Sequence, residues 1–236
     1  LPRHGEGHTI SPSLLPTKAN IYALKSIGVT RIVSVSAVGS LRENIHPLDL
    51  IIPDQLIDNT RHRSRTFFED GIVAHISFAE PFCSELRGGL TVAAERAGAT
   101  VHKTGTYVVI EGPQFSTKAE SYLYRSWGCD IIGMTALPEA KLAREAEMCY
   151  AILACSTDYD CWRENEEAVN AQIVLSNLKR NASRSKLILE DVIASMETQS
   201  ECQCNNALKD AIVTRPDMIS RTAHDSLGII IDRYIE

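Results

Sequence analysis

Short runs of β-branched and small apolar residues alternate along this chain with stretches of helical periodicity. Residues 31–38 read as a buried strand closing on Ala37-Val38-Gly39-Ser40, and residues 50–53, 106–110, 130–132 and 150–156 read as further strands. Between them, residues 16–27 form a helix with Ile21, Leu24 and Ile27 on one face, Pro16 in the first turn and Gly28 after the end. Residues 84–97, 138–147 and 166–196 are helical in pattern, and Thr117 opens another helix with Glu120 completing a capping box. A polar linker follows at 199–206, then one or two helices to Tyr234. Strands spaced by helices of this length predict a single α/β domain: a mixed, mostly parallel central sheet flanked by helices on both faces. In such sheets ligands gather beyond the strand C-termini. That directs attention to loops 36–40, 111–116, 133–135 and 157–162.

Composition closes off other classes. A length of 236 residues with 44% hydrophobic side chains supplies a sizeable core and excludes disorder or a disulfide-dependent miniprotein. The net charge of −6, with no Lys/Arg run, argues against nucleic acid as a partner. No apolar stretch approaches the roughly 18–20 residues of a membrane span. The seven cysteines are odd in number and irregular in spacing, with no secretory signal, which suggests a reducing cytoplasm and mostly buried thiols. Cys149 and Cys155 flank an apolar run, where cysteine is a small hydrophobe. Cys202-Gln203-Cys204 is a close pair in a polar stretch, open to a strained disulfide, a metal site or two free loop thiols. No second Cys/His pair with zinc spacing accompanies it, so free loop thiols and no metal are expected.

The strand-end loops carry the chemistry. Arg3-His4-Gly5 offers a bidentate guanidinium and an imidazole to an anion. Ser36-Ala37-Val38-Gly39-Ser40 lets backbone approach a ligand and adds hydroxyls, without the lysine of a Walker motif. Phe115, in Glu111-Gly112-Pro113-Gln114-Phe115-Ser116, either stacks on a flat base or packs in the core. In Gly133-Met134-Thr135, Met134 suits a sugar face or a core gap, and Thr135 suits a phosphate. Asp158-Tyr159-Asp160-Cys161-Trp162 holds two carboxylates two residues apart after an apolar strand. One such acid can protonate a leaving group while the other hydrogen-bonds an amino group; a hard cation would want more oxygen ligands than this segment supplies. Together the inventory suits a nucleoside plus phosphate.

These strings, with Leu1-Pro2-Arg3-His4-Gly5, Ala19-Asn20-Ile21-Tyr22-Ala23-Leu24-Lys25, Gly39-Ser40-Leu41-Arg42-Glu43 and Phe78-Ala79-Glu80-Pro81-Phe82-Cys83, run in one family's order over residues 1–180. The chain resembles the trimeric purine nucleoside phosphorylase family, in its methylthioadenosine-cleaving branch. The resemblance implies a nucleoside phosphorylase-like fold and reversible phosphorolysis of 5′-methylthioadenosine to adenine and 5-methylthioribose 1-phosphate. No cofactor is implied, inorganic phosphate being a co-substrate, and a homotrimer or dimer of trimers is. Arg3, His4, Ser36, Ala37 and Thr135 would bind phosphate. Ala37, Val38, Gly39 and Ile132 would line the nucleoside site, Met134 would pack on the ribose and Phe115 near the base. Asp158 would serve the purine N7 and Asp160 the 6-amino side. Val169, Ala171 and Val174 would line a methylthio pocket, and His75 would approach the 5′ end from a neighbouring subunit. Inosine-cleaving relatives carry Asn in place of Asp158 and Glu in place of Ser116, so the acid here favours adenine. Gly133 stands where some animal members have Asn. The Cys202-x-Cys204 pair is similar to one in thermostable microbial members, where such cysteines can bridge.

The family begins with a strand and a Gly-rich phosphate loop that have no counterpart before Leu1, so residues 1–236 are expected to form a phosphorylase domain lacking that segment. Two other functions stay open on sequence: a phosphorylase for inosine or methylthioinosine, and an inactive nucleoside-binding fragment.

Overall fold

The computed structural model describes residues 1–163, 171–196 and 202–235. In chain order the elements are α1 (Thr17–Ser26), β1 (Arg31–Ser40), β2 (Leu50–Ile51), β3 (Gln55–Asn59), α2 (Ser84–Arg96), β4 (Val101–His102), β5 (Thr106–Ile110), α3 (Lys118–Ser126), β6 (Ile131–Gly133), α4 (Glu139–Glu145), β7 (Cys149–Asp158), α5 (Ala171–Ser195) and α6 (Arg221–Ile231). The strands form one seven-stranded sheet in the order β3-β5-β6-β1-β7-β2-β4. Pairs β1·β7, β2·β4, β3·β5 and β5·β6 are parallel, while β1·β6 and β2·β7 are antiparallel. The mixed, mostly parallel α/β sheet expected from the sequence is the architecture found.

β7 shows why its run is apolar throughout. Alternate residues of a strand face opposite sides of the sheet. Tyr150, Ile152 and Ala154 pack with Ile21 of α1, Leu142 of α4 and Leu227 of α6. Cys149, Ala151, Leu153 and Cys155 pack with Leu86 and Leu90 of α2 and Ile188 and Val192 of α5. A central strand covered on both sides has no polar face to show. A third cluster, built on Leu41, Val108, Tyr124 and Trp162, seats α3. The start of α3 follows its sequence signal: Thr117 Oγ1 accepts from the Glu120 amide at 3.2 Å, and Glu120 Oε2 accepts from the Thr117 amide at 2.7 Å.

The departures have local causes. β3 was not foreseen; it is an edge strand whose five residues are all half-buried and include Asp58 and Asn59, so no apolar pattern marks it. β4, at the other edge, has two residues. β2 covers only Leu50–Ile51 of the expected 50–53, since Pro53 cannot donate to a ladder. The described part of the 166–196 helix runs over Ala171–Ser195. The described part of the expected 199–206 linker holds a short 3₁₀ turn, Gln203–Asn206, and its Cys202 and Cys204 are buried rather than loop-surface thiols. Among the described residues no helix is long and apolar enough to cross a membrane.

Candidate active site

The C-terminal ends of the parallel strands β1 and β7 lie together, the short antiparallel β6 runs beside the end of β1, and a cleft of about 480 Å³ opens over these residues. The β1·β7 pairing runs in step from Arg31↔Cys149 to Val38↔Ser156, then slips so that Gly39 faces Asp158. The extra residue, Thr157, turns the end of β7, as a bulge does. Gly39 is needed there: a Cβ would lie 3.0 Å from Asp158 Oδ1 and from Ile132 Cγ2.

One end of the cleft is built for an anion. Arg3 Nη2 donates to Ser34 Oγ at 2.6 Å and to the Val35 carbonyl at 3.3 Å, and Arg3 Nε pairs with Glu139 at 3.2 Å. Its Nη1 is buried with no protein partner. A buried donor left unpaired costs about 1–3 kcal/mol, so an anion accepted there recovers that cost. Ser36 Oγ and Thr135 Oγ1 lie 2.9 Å apart. His4 Nδ1 donates to the Ile10 carbonyl at 2.8 Å, and the ring stacks on His8 with centroids 4.1 Å apart. Burial lowers the His4 pKa; the Ile10 bond opposes this and the charges of His8 and Arg3 add to it. The neutral ring, with its proton on Nδ1, leaves Nε2 as an acceptor.

The other end is apolar with an acid pair. Phe115 is 46% exposed on the cleft, so it is not a core residue. Met134 lies on Gly112 (φ +66°), where a Cβ would come 2.4 Å from its sulfur. Asp158 accepts from the Thr157 hydroxyl at 2.6 Å and from the Asp160 amide at 2.8 Å. Asp160 is buried in the left-handed region, φ +52°, a conformation that costs a non-glycine residue of order 1 kcal/mol and clusters at functional sites. Burial pushes its pKa up; the nearby Ser121 hydroxyl and the Cys161 thiol and amide oppose the shift, and the Glu120 carboxylate adds to it.

A buried arginine that sequence reasoning missed fastens the two ends together. Arg63 donates to the carbonyls of Ile110 (3.2 Å), Glu111 (2.6 Å), Met134 and Leu137 (2.6 Å), and to Glu111 Oε1 at 3.3 Å. Its side chain is 2% exposed. Burial would raise the Glu111 pKa, but the Ser13 hydroxyl, the Arg61 and His62 amides and the Arg63 charge hold it down to about 2. No pattern around Arg63 signals this; its partners lie 47 to 74 positions away in sequence.

Of the residues singled out from sequence, the cleft gathers Arg3, His4, Ser36, Ala37, Val38, Gly39, Phe115, Ile132, Met134, Thr135, Asp158, Asp160 and Val174. Val169 lies outside the described residues, and Ala171 is the first residue of α5, with a side chain outside the description. His75 is exposed and outside the cleft, its amide bonded to the Ala211 carbonyl at 2.8 Å. Leu175, Thr157 and Ile110 also line the cleft. The last two sit at strand ends, where position alone could have found them. Gly133 belongs too: a Cβ there would meet the buried Tyr107 Oη at 2.2 Å, so glycine and tyrosine fit as a pair.

Residues 1–194 match the phosphorylase superfamily. The S-methyl-5′-thioadenosine phosphorylase of Geobacter sulfurreducens is 50% identical over 236 residues, covering all of this chain and 82% of that protein. The enzyme of the same name from Chloroflexus aurantiacus is 52% identical, over 99% of this chain and 82% of its own length. A methylthioadenosine phosphorylase from an antarctic soil metagenomic library superposes with a TM-score of 0.92 at 49% identity, covering 98% of this chain and 82% of the other. The Schistosoma mansoni enzyme in complex with adenine gives 0.83 at 33% identity, over 98% and 81%. A shared fold, about half the residues in common and a family match spanning most of the sheet place this chain in the phosphorylase superfamily.

Proposed function

We propose that this protein cleaves 5′-methylthioadenosine with phosphate, giving adenine and 5-methylthioribose 1-phosphate. The observation that carries the reading is one cleft holding an anion-binding end and, across it, the Asp158–Asp160 pair. Phosphate is the co-substrate and no cofactor enters. Arg3 Nη1, the Ser36 and Thr135 hydroxyls and the Ala37 backbone hold phosphate beneath C1′. His4 Nε2 accepts the phosphate's own hydroxyl. Met134 packs on the ribose and Phe115 on the base. A phosphate oxygen attacks C1′ as the bond to N9 breaks; the bonding pair passes to the purine, and Asp158, which enters the step protonated, gives its proton to N7 and is left as a carboxylate bonded by the Thr157 hydroxyl and the Asp160 amide. An acid so placed is worth about 10²–10⁴ in rate, and fixed donors on the phosphate supply positioning and charge stabilisation. Asp160, kept towards its neutral form by burial, accepts from the 6-amino group. Val169, Ala171 and Val174 form the methylthio pocket, whose preference over a 5′-hydroxyl is worth about 1–3 kcal/mol. His75, exposed on this chain, reaches the 5′ end of a neighbour's site in a cytoplasmic homotrimer.

Asp158→Asn tests the acid. Turnover of methylthioadenosine is expected to fall about 10²-fold or more, with phosphate KM little changed. Near-normal turnover removes Asp158 from the N7 role.

A further inference from the structure

Four cysteines from three separate stretches of the sequence meet on the face of the sheet covered by α2 and α5, none of them lining the cleft. Cys83 is the N-cap of α2, Cys149 opens β7, and Cys202 and Cys204 come from the 3₁₀ turn after α5. Their sulfurs all lie within 4.8 Å of one another, and Cys83 Sγ is 3.6 Å from Cys202 Sγ. All four are at least 95% buried and none is in a disulfide. The sequence expectation of no metal rested on spacing along the chain, which could not show that Cys83 and Cys149 supply the second pair.

We propose that Cys83, Cys149, Cys202 and Cys204 form a closed structural site for one zinc ion. Four thiolates at the usual Zn–S distance of about 2.3 Å stand about 3.8 Å apart at the corners of a tetrahedron, so the sulfurs need only small shifts. Four S–H bonds break, four protons leave to solvent and four Zn–S bonds form, with no electron transferred. The tetrathiolate keeps a net charge of −2, and the surroundings answer it. The Leu86 amide, in the first turn of α2, donates to Cys83 Sγ at 3.5 Å, and the helix N-terminus favours an anion. The Arg144 guanidinium, tied to the Glu80 carbonyl at 2.6 Å, acts on Cys204. The apolar shell of Leu86, Leu90, Ile188 and Val192 shuts out water, as a structural rather than catalytic zinc requires. Filled, the site ties the segment after α5 to the strand and helix it covers. The rival chemistry, two disulfides, would bring sulfurs to about 2.05 Å in pairs and would consume an oxidant.

The full-length chain, purified without chelator, is analysed for metal by inductively coupled plasma mass spectrometry, and its cobalt-substituted form by visible absorption. About one zinc per chain is expected, with the thiolate-to-cobalt charge transfer and intense visible bands of a tetrahedral sulfur site. Cys204→Ser and Cys202→Ser are each expected to weaken zinc binding by at least about tenfold, whereas Cys129→Ser leaves it unchanged. The wild-type metal content and cobalt spectrum stand even if a variant misfolds. Metal-free protein with all seven thiols titratable and no cobalt spectrum overturns the proposal. So does loss of these four thiols in pairs, seen by mass spectrometry on protein purified without reductant.

Discussion

Replacing Arg63 by Met keeps the unbranched apolar stem of the side chain and removes its fork of donors. Four main-chain carbonyls, of Ile110, Glu111, Met134 and Leu137, then lose their partner, and Glu111 loses a cation. Arg63 is 2% exposed and Glu111 23%, so the pair is half-buried, and the loss is bounded by the cost of removing one partner of a fully buried pair, about 3–5 kcal/mol. Some of those carbonyls will find water, which argues for that range rather than for four separate penalties of about 1–3 kcal/mol each. At about 2–4 °C per kcal/mol for a chain of this size, the Tm should fall by up to about 20 °C in a calorimetric scan. Activity should fall further than stability accounts for. Arg63 holds both the turn that bears Phe115 and the loop that bears Met134 and Thr135, and a displacement of about 1 Å there is enough for a 10²-fold loss. The reading is a steady-state kcat/KM for methylthioadenosine at a temperature where the variant is folded by circular dichroism. Arg63→Lys, a point charge without the fork, should recover part of the stability and little of the rate. A Met variant melting within about 2 °C of wild type would refute the reasoning, since by the same scaling it would place less than about 1 kcal/mol on the hub.

Other expectations follow from the same geometry. Asp160→Asn should lose activity on 6-amino nucleosides while its Tm stays the same or rises, because a buried carboxyl with a raised pKa is a cost to the fold at neutral pH; a lower Tm in differential scanning fluorimetry contradicts this. Gly133→Ala drives a Cβ to 2.2 Å from Tyr107 Oη and should cost about 1–3 kcal/mol in urea unfolding and raise KM for phosphate; removing that hydroxyl with Tyr107→Phe should restore part of both. Glu111 is held down to about 2 in the fold against an ordinary value of 4.5, so its share of stability is complete above pH 4.5 and is lost as the pH falls towards 2. The His4 pKa is lowered, so the fold also loses stability as the pH drops below 6.5. Urea midpoints across that range should decline in both windows, and Glu111→Gln should flatten the lower one.

What could be read in the sequence divides along physical lines. β7 was legible because a strand buried on both faces writes an unbroken apolar run, and α3 because Thr117 and Glu120 cap it through purely local bonds. β3 was not, since a half-buried edge strand such as Gln-Leu-Ile-Asp-Asn carries no periodicity. The cleft was legible where residues sit at strand ends or inside specific strings: Arg3, Ser36, Met134 and Asp158 fall where their motifs implied. The support beneath them was not. Arg63 acts through main-chain carbonyls, which leave no trace in side-chain identity. The Gly133–Tyr107 fit joins residues 26 positions apart on neighbouring strands, β6 and β5, and reads as two unrelated letters. The cysteine cluster was hidden for the same reason, Cys83 lying 119 positions from Cys202.

The central claim is chemical, and a single assay addresses it: purified protein incubated in parallel with methylthioadenosine, adenosine and inosine, with and without inorganic phosphate, the free bases separated by chromatography. Adenine should appear from methylthioadenosine, more slowly from adenosine, and only when phosphate is present, with the sugar recovered as its 1-phosphate. Release of hypoxanthine without adenine, or adenine release that ignores phosphate, would contradict the account.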